Sequence, residues 1–346
     1  MSVGEKSVIF LLGAGCSCDA NVPASKEMIQ KLEGLLEKTY ANDLYPLYRY
    51  VMYTMQYGKN LAGKLTDFNI ESLLVTLHTL NDYKSAILYP FVMGYSQDLI
   101  ECAGEKFKNI ERLIDIIEKE LPKWVTLGSY TKASYYKGFE KFQNELTYAI
   151  RLFSLNYDLC LEKNVTAVET GFIGDEPWDG NRFNKTDNEE ETPIYLYKLH
   201  GSIDWERTNN QLKKSEQSGI KPDIIFGTDV KLQAIDPYLF YLYEFRKYAL
   251  FSEIIVVIGY SFNDNHINDL IGQAMETDKN KKIISVSPTK DIKEELKRIL
   301  YRLKLENNAI NQRRIIIENT GAKDFLEKKL TVDYISQQLS QTELPF

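Results

Sequence analysis

The stretch Ser7-Val8-Ile9-Phe10-Leu11-Leu12, followed directly by Gly13-Ala14-Gly15-Cys16-Ser17, decides the fold class of this chain. A continuous apolar run of this length is typical of a strand that is buried on both faces of a parallel sheet. The glycine turn and a helical pattern after Pro23 predict the opening strand-turn-helix unit of a nucleotide-binding domain. Glycines in such a turn let the backbone approach a pyrophosphate. Cys18 replaces the third glycine of the usual G-x-G-x-x-G pattern, so a tight turn that binds nothing is an alternative interpretation.

Apolar strands alternate with helical stretches through the second half of the chain. This alternation predicts an α/β fold, a Rossmann-like doubly wound parallel sheet with helices on both faces. The strand candidates are Arg151–Leu155, Thr166–Val168, Ile194–Leu199, Asp223–Phe226, Glu253–Ile258 and Lys282–Val286, and the helix candidates between the later ones are Pro237–Phe251, Asp264–Met275 and Lys290–Leu303.

Residues 38–150 have a different pattern, in which tyrosines are frequent and apolar residues recur at spacings of three and four. Ile70, Leu73, Leu74 and Leu77 show the spacing clearly. We interpret this stretch as a large helical insertion within a single domain that spans residues 1–346. The polar, acidic segment Asp179–Thr192 is expected to be a surface loop.

Composition restricts the class of protein. Of 346 residues, 44% are hydrophobic and 26% are charged, which is ordinary for a folded globular protein. A net charge of −7 argues against direct, sequence-blind binding of nucleic acid, which needs a positive surface. We expect a cytoplasmic protein, since no secretory signal and no membrane-spanning apolar run is evident. The four cysteines form neither a C-x-x-C pair nor a disulfide framework.

Three polar segments follow strand candidates at the edge where open α/β sheets bind their ligands. They are Asn156-Tyr157-Asp158, His200-Gly201-Ser202 and Gly259-Tyr260-Ser261-Phe262-Asn263-Asp264. Of the three histidines, His200 has the location that fits catalysis, because it directly follows a strand. His78 lies in an apolar helical pattern and His266 lies at a helix start, so a structural role is expected for both.

These motifs, taken in order along the chain, resemble the sirtuin superfamily. The family's patterns are G-A-G-x-S, N-x-D, a histidine-glycine after a strand, P-D-x-x-F-G and a late glycine-serine turn. The matching segments here are Gly13–Ser17, Asn156–Asp158, Lys198–Ser202, Pro222–Gly227 and Gly259–Phe262, with Val22-Pro23-Ala24 where the family has G-[IV]-P. The helical insertion lies outside the resemblance.

The resemblance implies that NAD is bound as a substrate. Its nicotinamide is a cationic pyridinium that leaves neutral, so the carboxylate pair of a glycosidase is dispensable. Asn156 would hold the ribose and the attacking water, Asp158 would engage the nicotinamide carboxamide, and His200 would act as a base near neutral pH. By the same resemblance, Gly13, Ala14, Gly15 and Ser17 would line the phosphates, Gly259, Ser261 and Asp264 would hold the adenosine half, and Gly201 and Ser202 would complete the nucleotide site.

Two departures from the family's pattern restrict the type of reaction that we expect. A sirtuin deacetylase carries a four-cysteine zinc module between the histidine-glycine and P-D-x-x-F-G motifs, whereas Gly201–Lys221 contains no cysteine. The family's glutamate after F-G is Thr228 here. We therefore expect no metal and an NAD hydrolase in which water replaces the acyl-lysine. The alternatives are an NAD-dependent protein deacylase or ADP-ribosyltransferase and a non-catalytic NAD-binding module.

The sequence looks closer to the bacterial sirtuin-like branch of antiphage defence, in which the domain depletes NAD, than to the deacetylases. That resemblance implies an effector controlled by assembly, with a homo-oligomer and a partner in trans such as a HerA-like ATPase or a short Argonaute. Too few residues follow Ile317 for a sensor domain of its own. The sequence leaves open the trigger, the partner, the oligomeric state, the choice between NAD and NADP, and whether the chain is active alone.

Overall fold

Seven strands form one parallel sheet in the computed structural model, which describes residues 7–61, 68–82, 97–146, 148–184, 194–215, 222–225 and 235–340. The strand order is β3-β4-β2-β1-β7-β8-β9, and a separate antiparallel hairpin contains β5 and β6. The predicted α/β class with a Rossmann-like parallel sheet is confirmed. The strands are β1 (Val8–Leu12), β2 (Arg151–Ser154), β3 (Val168–Glu169), β4 (Ile194–Lys198), β5 (Trp205–Thr208), β6 (Gln211–Lys214), β7 (Ile254–Ile258), β8 (Lys282–Val286) and β9 (Ile315–Glu318).

Helices lie between β1 and β2, between β6 and β9 and after β9, together with short α, 3-10 and π turns. The helices are α1 (Ser25–Thr39), α2 (Leu44–Leu61), α3 (Ile70–Asn81), α4 (Gln97–Ala103), α5 (Lys108–Val125), α6 (Lys137–Asn144), α7 (Tyr238–Phe251), α8 (Asn265–Thr277), α9 (Ile292–Arg302), α10 (Ala309–Arg314) and α11 (Val332–Ser340).

Both faces of the sheet are covered, as the apolar strands predict. Phe10 of β1 pairs in register with residue 152, so Phe10 and Phe153 point to opposite faces. The ring of Phe10 lies edge-on to those of Phe139 and Phe142 in α6, at 5.3 and 5.6 Å between centroids. The ring of Phe153 contacts Phe245 of α7 at 5.1 Å. Helices therefore pack on both sides, which is the doubly wound arrangement.

The chain divides into two compact units. One comprises Met1–Val22, Thr126–Ile224 and Leu232–Phe346, and it carries all the strands described above. The other comprises Pro23–Val125 and Ile225–Lys231 and contains helices α1 to α5. The helical periodicity expected in this part of the chain is present, and the bounds 38–150 for an insertion stay a prediction.

Three segments differ from the expectation. Asp223–Phe226 was expected to be a strand, but Ile224 makes only an isolated antiparallel bridge to Gly201, because the N–H of Asp223 donates to Trp205 of the hairpin. The hairpin itself was not predicted, although Asn209-Asn210, both with positive φ, form its two-residue turn. Strand β9 was also missed. Residues 185–192 of the acidic loop, and Lys221, Phe226, Gly227 and Thr228 of the later motif, lie outside the described residues.

Candidate active site

Four neighbouring strands end in line at one edge of the sheet. Leu12, the last residue of β1, pairs in register with Ser154 of β2 on one side and with Ile258 of β7 on the other. Ser154 pairs in turn with Lys198, the last residue of β4. The chain moves from β1 to β2 on one side and later returns to β7 on the other side of β1, so the strand order reverses there. Open α/β sheets bind ligands at the carboxyl edge of such a switch point.

The predicted site residues follow these aligned ends, and we call this edge the carboxyl rim. Gly13 and Gly259 each come one residue after a strand, and Asn156 and His200 each come two residues after one. Because Ser154 and Lys198 are paired, Asn156 and His200 follow the ends of two adjacent strands at the same spacing. The rim therefore brings together residues that are far apart in the sequence.

The two glycine turns at the rim pack against each other. The N–H of Gly13 donates to the carbonyl of Ile258 at 2.9 Å, and that of Gly15 donates to the carbonyl of Gly259 at 2.8 Å. A Cβ on Gly13 would lie 2.6 Å from the Cα of Tyr260, and one on Gly15 would lie 2.8 Å from the Cα of Gly259. Only glycine permits this approach. Loop packing is thus a sufficient reason for these glycines, and phosphate binding at Gly13, Ala14 and Gly15 stays a prediction.

Ser17 lies between two 3-10 turns, Ala14–Cys16 and Cys18–Ala20, and is completely buried. Its hydroxyl donates to Oδ2 of Asp158 at 2.7 Å and accepts from Nδ2 of Asn156 at 3.3 Å. The hydroxyl of Tyr136 lies 2.8 Å away and must be the donor, since Ser17 has one proton to give. Burial raises the pKa of the Tyr136 phenol well above its usual range, so that proton is retained.

Asn156 and Asp158 are both oriented by the chain. The amide Nδ2 of Asn156 donates to the carbonyl of Gly13 at 3.0 Å as well as to Ser17, so both of its N–H groups have acceptors within the protein. Oδ1 of Asp158 accepts the backbone N–H of Cys160 at 2.9 Å. Ser17, Asn156 and Asp158, which the sequence predicted as site residues, therefore belong to one hydrogen-bonded network.

His200 is paired with a carboxylate. Its Nε2 lies 3.2 Å from Oδ2 of Asp264, and both side chains are about 4% exposed. The other oxygen of Asp264, Oδ1, accepts the backbone N–H of His266 at 3.0 Å and so forms the N-cap of α8. Asp264 was expected to hold the adenosine half of the nucleotide; the structure places it beside His200.

The remaining predicted residues have different surroundings. Ser202 is buried, and its hydroxyl accepts from the ammonium of Lys198 at 2.8 Å. Gly201 forms the backbone bridge to Ile224. Ser261 is exposed, and its carbonyl accepts from Nη1 of Arg298 at 2.5 Å.

Sequence reasoning missed three residues that contact the site. Tyr136 orients Ser17, Lys198 forms an ion pair with Glu162, and all three line one small cavity with Asn156 and Asp158. Burial raises the pKa of the Glu162 carboxyl, and the ammonium of Lys198 opposes that shift. A lysine at the end of an apolar strand was the one available signal for this pair. Tyr136 gave no signal, because tyrosines are common throughout its surroundings in the sequence.

All four cysteines are free thiols, and burial raises the pKa values of Cys16 and Cys160. Among the described residues, no group of three or more histidine, cysteine or acidic side chains is arranged to hold a metal ion. Within the same part of the chain, none of the helices has the length and apolar character needed to cross a membrane.

Residues 151–310, which extend from β2 into α10, match the family model described as a SIR2-like domain. No curated protein matches the chain in sequence. Solved structures with a similar fold include a Sir2 homologue mutant in complex with ADP ribose, at 11% identity and a TM-score of 0.45, covering 98% of this chain and 95% of that one. A Sir2 homologue in complex with NAD is similar at 11% identity and a TM-score of 0.41, and the match covers 98% of this chain and 91% of that one.

Proposed function

We propose, on the premise that residues 151–310 form a SIR2-like domain, that this chain hydrolyses NAD to nicotinamide and ADP-ribose. The observation that carries the proposal is the placement of Asn156 and His200 after the ends of two adjacent strands, with His200 already paired with the carboxylate of Asp264. A base needs both a position at the reacting atoms and a partner that fixes its proton. His200 has such a partner in Asp264, and it lies at the rim, where the reacting atoms are expected to bind.

The reaction fits these groups. The bond between ribose C1 and the pyridinium nitrogen breaks, and its electron pair neutralises the departing nicotinamide, so no acid is needed at the leaving group. A water oxygen forms the new bond to C1, and its proton passes to His200 and then to solvent. The carboxylate of Asp264 favours the tautomer with the proton on Nε2, which makes Nδ1 the basic nitrogen.

Asn156 and Asp158 would position the reactants. The amide oxygen of Asn156 is an acceptor suited to the attacking water or a ribose hydroxyl, because Nδ2 is committed to Gly13 and Ser17. A carboxylate has about four acceptor positions, so Asp158 can hold Ser17 and Cys160 and also accept from the nicotinamide amide.

We assign the rest of the nucleotide to the loops around β1 and β7. Part of the loop after β1 is accessible, and the phosphates would lie there, with the adenosine half towards the loop after β7. Asp264 is reassigned from the adenosine half to His200, because its two oxygens already serve His200 and the N-cap of α8. The proposed phosphate residues are Gly13, Ala14 and Gly15, and the buried Ser17 contributes by orienting Asn156 and Asp158. The proposed adenosine residues are Gly259 and Ser261, and Gly201 and Ser202 complete the site.

Water as the nucleophile is supported by the segment after His200. The hairpin β5–β6 and Pro222 follow it without a cysteine, where sirtuin deacetylases have their zinc module. We propose further that the chain acts in bacterial antiphage defence, as a homo-oligomer controlled by a partner such as a HerA-like ATPase or a short Argonaute. Unregulated hydrolysis of a shared cofactor would harm the host, so an off state is expected.

The test is product analysis. Purified protein, alone and with any activating partner, is incubated with NAD, and nicotinamide and ADP-ribose are quantified by chromatography and mass spectrometry. Asn156→Ala and His200→Ala should each reduce the rate at least about 100-fold while the protein stays folded. His78→Ala, a histidine of α3 beside Glu118 in the helical unit, is the matched control and should keep full activity. Full activity in both rim variants would refute the site, and nicotinamide release that requires an acyl-lysine peptide would indicate a deacylase instead.

A further inference from the structure

Lys198 is a buried lysine in direct contact with both catalytic turns. Its side chain is about 3% exposed. The ammonium lies 2.6 Å from the carbonyl of Asp158, 3.3 Å from that of Tyr157, 2.9 Å from Oε1 of Glu162 and 2.8 Å from Oγ of Ser202. One cation therefore joins the turn after β2, which carries Asn156 and Asp158, to the turn after β4, which carries His200.

Stability alone does not account for a lysine at this position. Removing two charges from water costs about as much as their attraction returns, and well-packed apolar residues of similar volume often replace such a pair without loss. Leu12, Leu161 and Leu196 line the small cavity that Lys198 also lines, together with polar side chains, so an apolar replacement would have some apolar neighbours there. What an apolar side chain lacks is the three N–H donors of the ammonium, which are shared here among two carbonyls, a carboxylate and a hydroxyl.

The carbonyls that Lys198 holds belong to the two residues after Asn156. A shift of the Tyr157 and Asp158 carbonyls would move the amide of Asn156 relative to the imidazole of His200. Displacements of about 1 Å at a reacting centre cost about 100-fold in rate. Two further hydrogen bonds also join the turns: the N–H of Ile203 donates to the Tyr157 carbonyl at 3.1 Å, and the hydroxyl of Ser202 donates to the same carbonyl at 3.5 Å.

We propose that Lys198, neutralised by Glu162, is a positioning residue that fixes the turn of Asn156 and Asp158 relative to the turn of His200. The inference rests on the proposed function for its effect on turnover. The coupling of the two turns is a separate physical claim that can be measured without substrate. Lys198 itself contacts neither reacting atom in the proposed reaction, so its loss should lower kcat far more than it raises KM.

Four variants distinguish a positioning role of Lys198 from a contribution to the stability of the fold. Lys198→Met leaves Glu162 buried without its cation and should destabilise the protein. The double variant Lys198→Met/Glu162→Met removes both charges and should recover most of the thermal stability. Lys198→Arg keeps the charge and the donors and should keep more activity than either methionine variant. Lys281→Met is the matched control, because Lys281 is also fully buried but precedes β8, at the opposite edge of the sheet.

The measurements are kcat and KM for NAD, the melting temperature, and hydrogen exchange of peptides that cover residues 155–163 and 199–204. We expect kcat to fall about 100-fold in the double variant, with KM changed less than about threefold, and exchange to become faster in both peptides. Lys281→Met should match the wild type in kcat and in the rate of hydrogen exchange of both peptides. Recovery of kcat together with stability in the double variant, or unchanged exchange, would overturn the proposal. If the wild type releases no nicotinamide, the proposed function fails, and the exchange data still decide whether Lys198 couples the turns.

Discussion

At Asp264 the two oxygens of one carboxylate have different partners. Oδ1 caps α8 through the N–H groups of His266 and Ile267, and Oδ2 faces Nε2 of His200. The sequence indicated that this residue belonged to the site, because it follows a strand in the glycine-serine motif. It could not indicate the partner, because the distance between the loops after β4 and β7 is set by the packing of the whole sheet.

Asp264→Asn tests the carboxylate without removing the cap. Asparagine is as good an N-cap as aspartate, so we expect the melting temperature to change little. Its Nδ2 would face His200 and donate, which favours the tautomer with the proton on Nδ1 and removes the basic nitrogen. We expect kcat for NAD hydrolysis to fall about 100-fold or more, as measured by nicotinamide release.

The control is Asp291→Asn at the N-cap of α9. Oδ1 of Asp291 accepts the N–H groups of Lys293 and Glu294 at 2.8 and 3.2 Å, so it caps its helix in the same way as Asp264. Unlike Asp264, Asp291 is exposed. This variant should keep the wild-type kcat. Equal activity in Asp264→Asn and Asp291→Asn would show that the charge beside His200 has no role in turnover.

The loops after β1 and β7 show how one element restricts another. Gly259 has φ +65°, and a Cβ there would lie 2.1 Å from the backbone nitrogen of Cys16. A glycine-rich turn after the first strand therefore has a structural cause in this protein, in addition to any contact with phosphate. The sequence predicted the turn and its place and left open whether the glycines serve a ligand or the turn itself. It could not indicate the contact with Gly259, because the neighbour of β1 in the sheet, β7, comes more than 240 residues later.

Gly259→Ala should destabilise the strand-bearing unit by at least about 3 kcal/mol, since left-handed backbone strain and a backbone clash act together. Gly128→Ala is the control in the same unit, because nothing lies within 4 Å of its Cβ and its φ is not in the positive range. We expect it to be neutral or stabilising by up to about 1 kcal/mol. Urea unfolding of both variants measures the difference, and similar midpoints would contradict the packing argument.

At the scale of the molecule, the parallel sheet explains which parts of the site the sequence could predict. Parallel strands share a carboxyl edge, so motifs after β1, β2, β4 and β7 could be placed together from strand pattern alone. The polar contacts behind them could not be predicted, because the partners of Tyr136, Glu162 and Lys198 depend on side-chain positions across separate loops. The hairpin β5–β6 was missed because its alternation is short and is not apolar.

The same sheet buries a second lysine, at its amino edge, and this lysine should make stability depend on pH. Burial lowers the pKa of Lys281 from its ordinary value near 10.5 to about 8, with Asp278 and Glu253 opposing the shift and Arg314 adding to it. Between pH 8 and 10.5 the unfolded chain binds this proton and the folded chain does not, so stability from this group rises with pH. Below pH 8 the full cost of the buried charge remains.

Lys281→Met isolates the effect, because it removes the charge at every pH while other titrating groups are common to both proteins. The free energy of unfolding of the wild type, taken relative to Lys281→Met, should increase by up to about 3 kcal/mol between pH 8 and 10.5. Urea unfolding at four pH values across this window measures the difference. A constant difference would mean that Lys281 keeps an ordinary pKa in the folded protein. The ammonium would then have a compensating partner besides the carbonyl of Leu250, which lies 3.3 Å away.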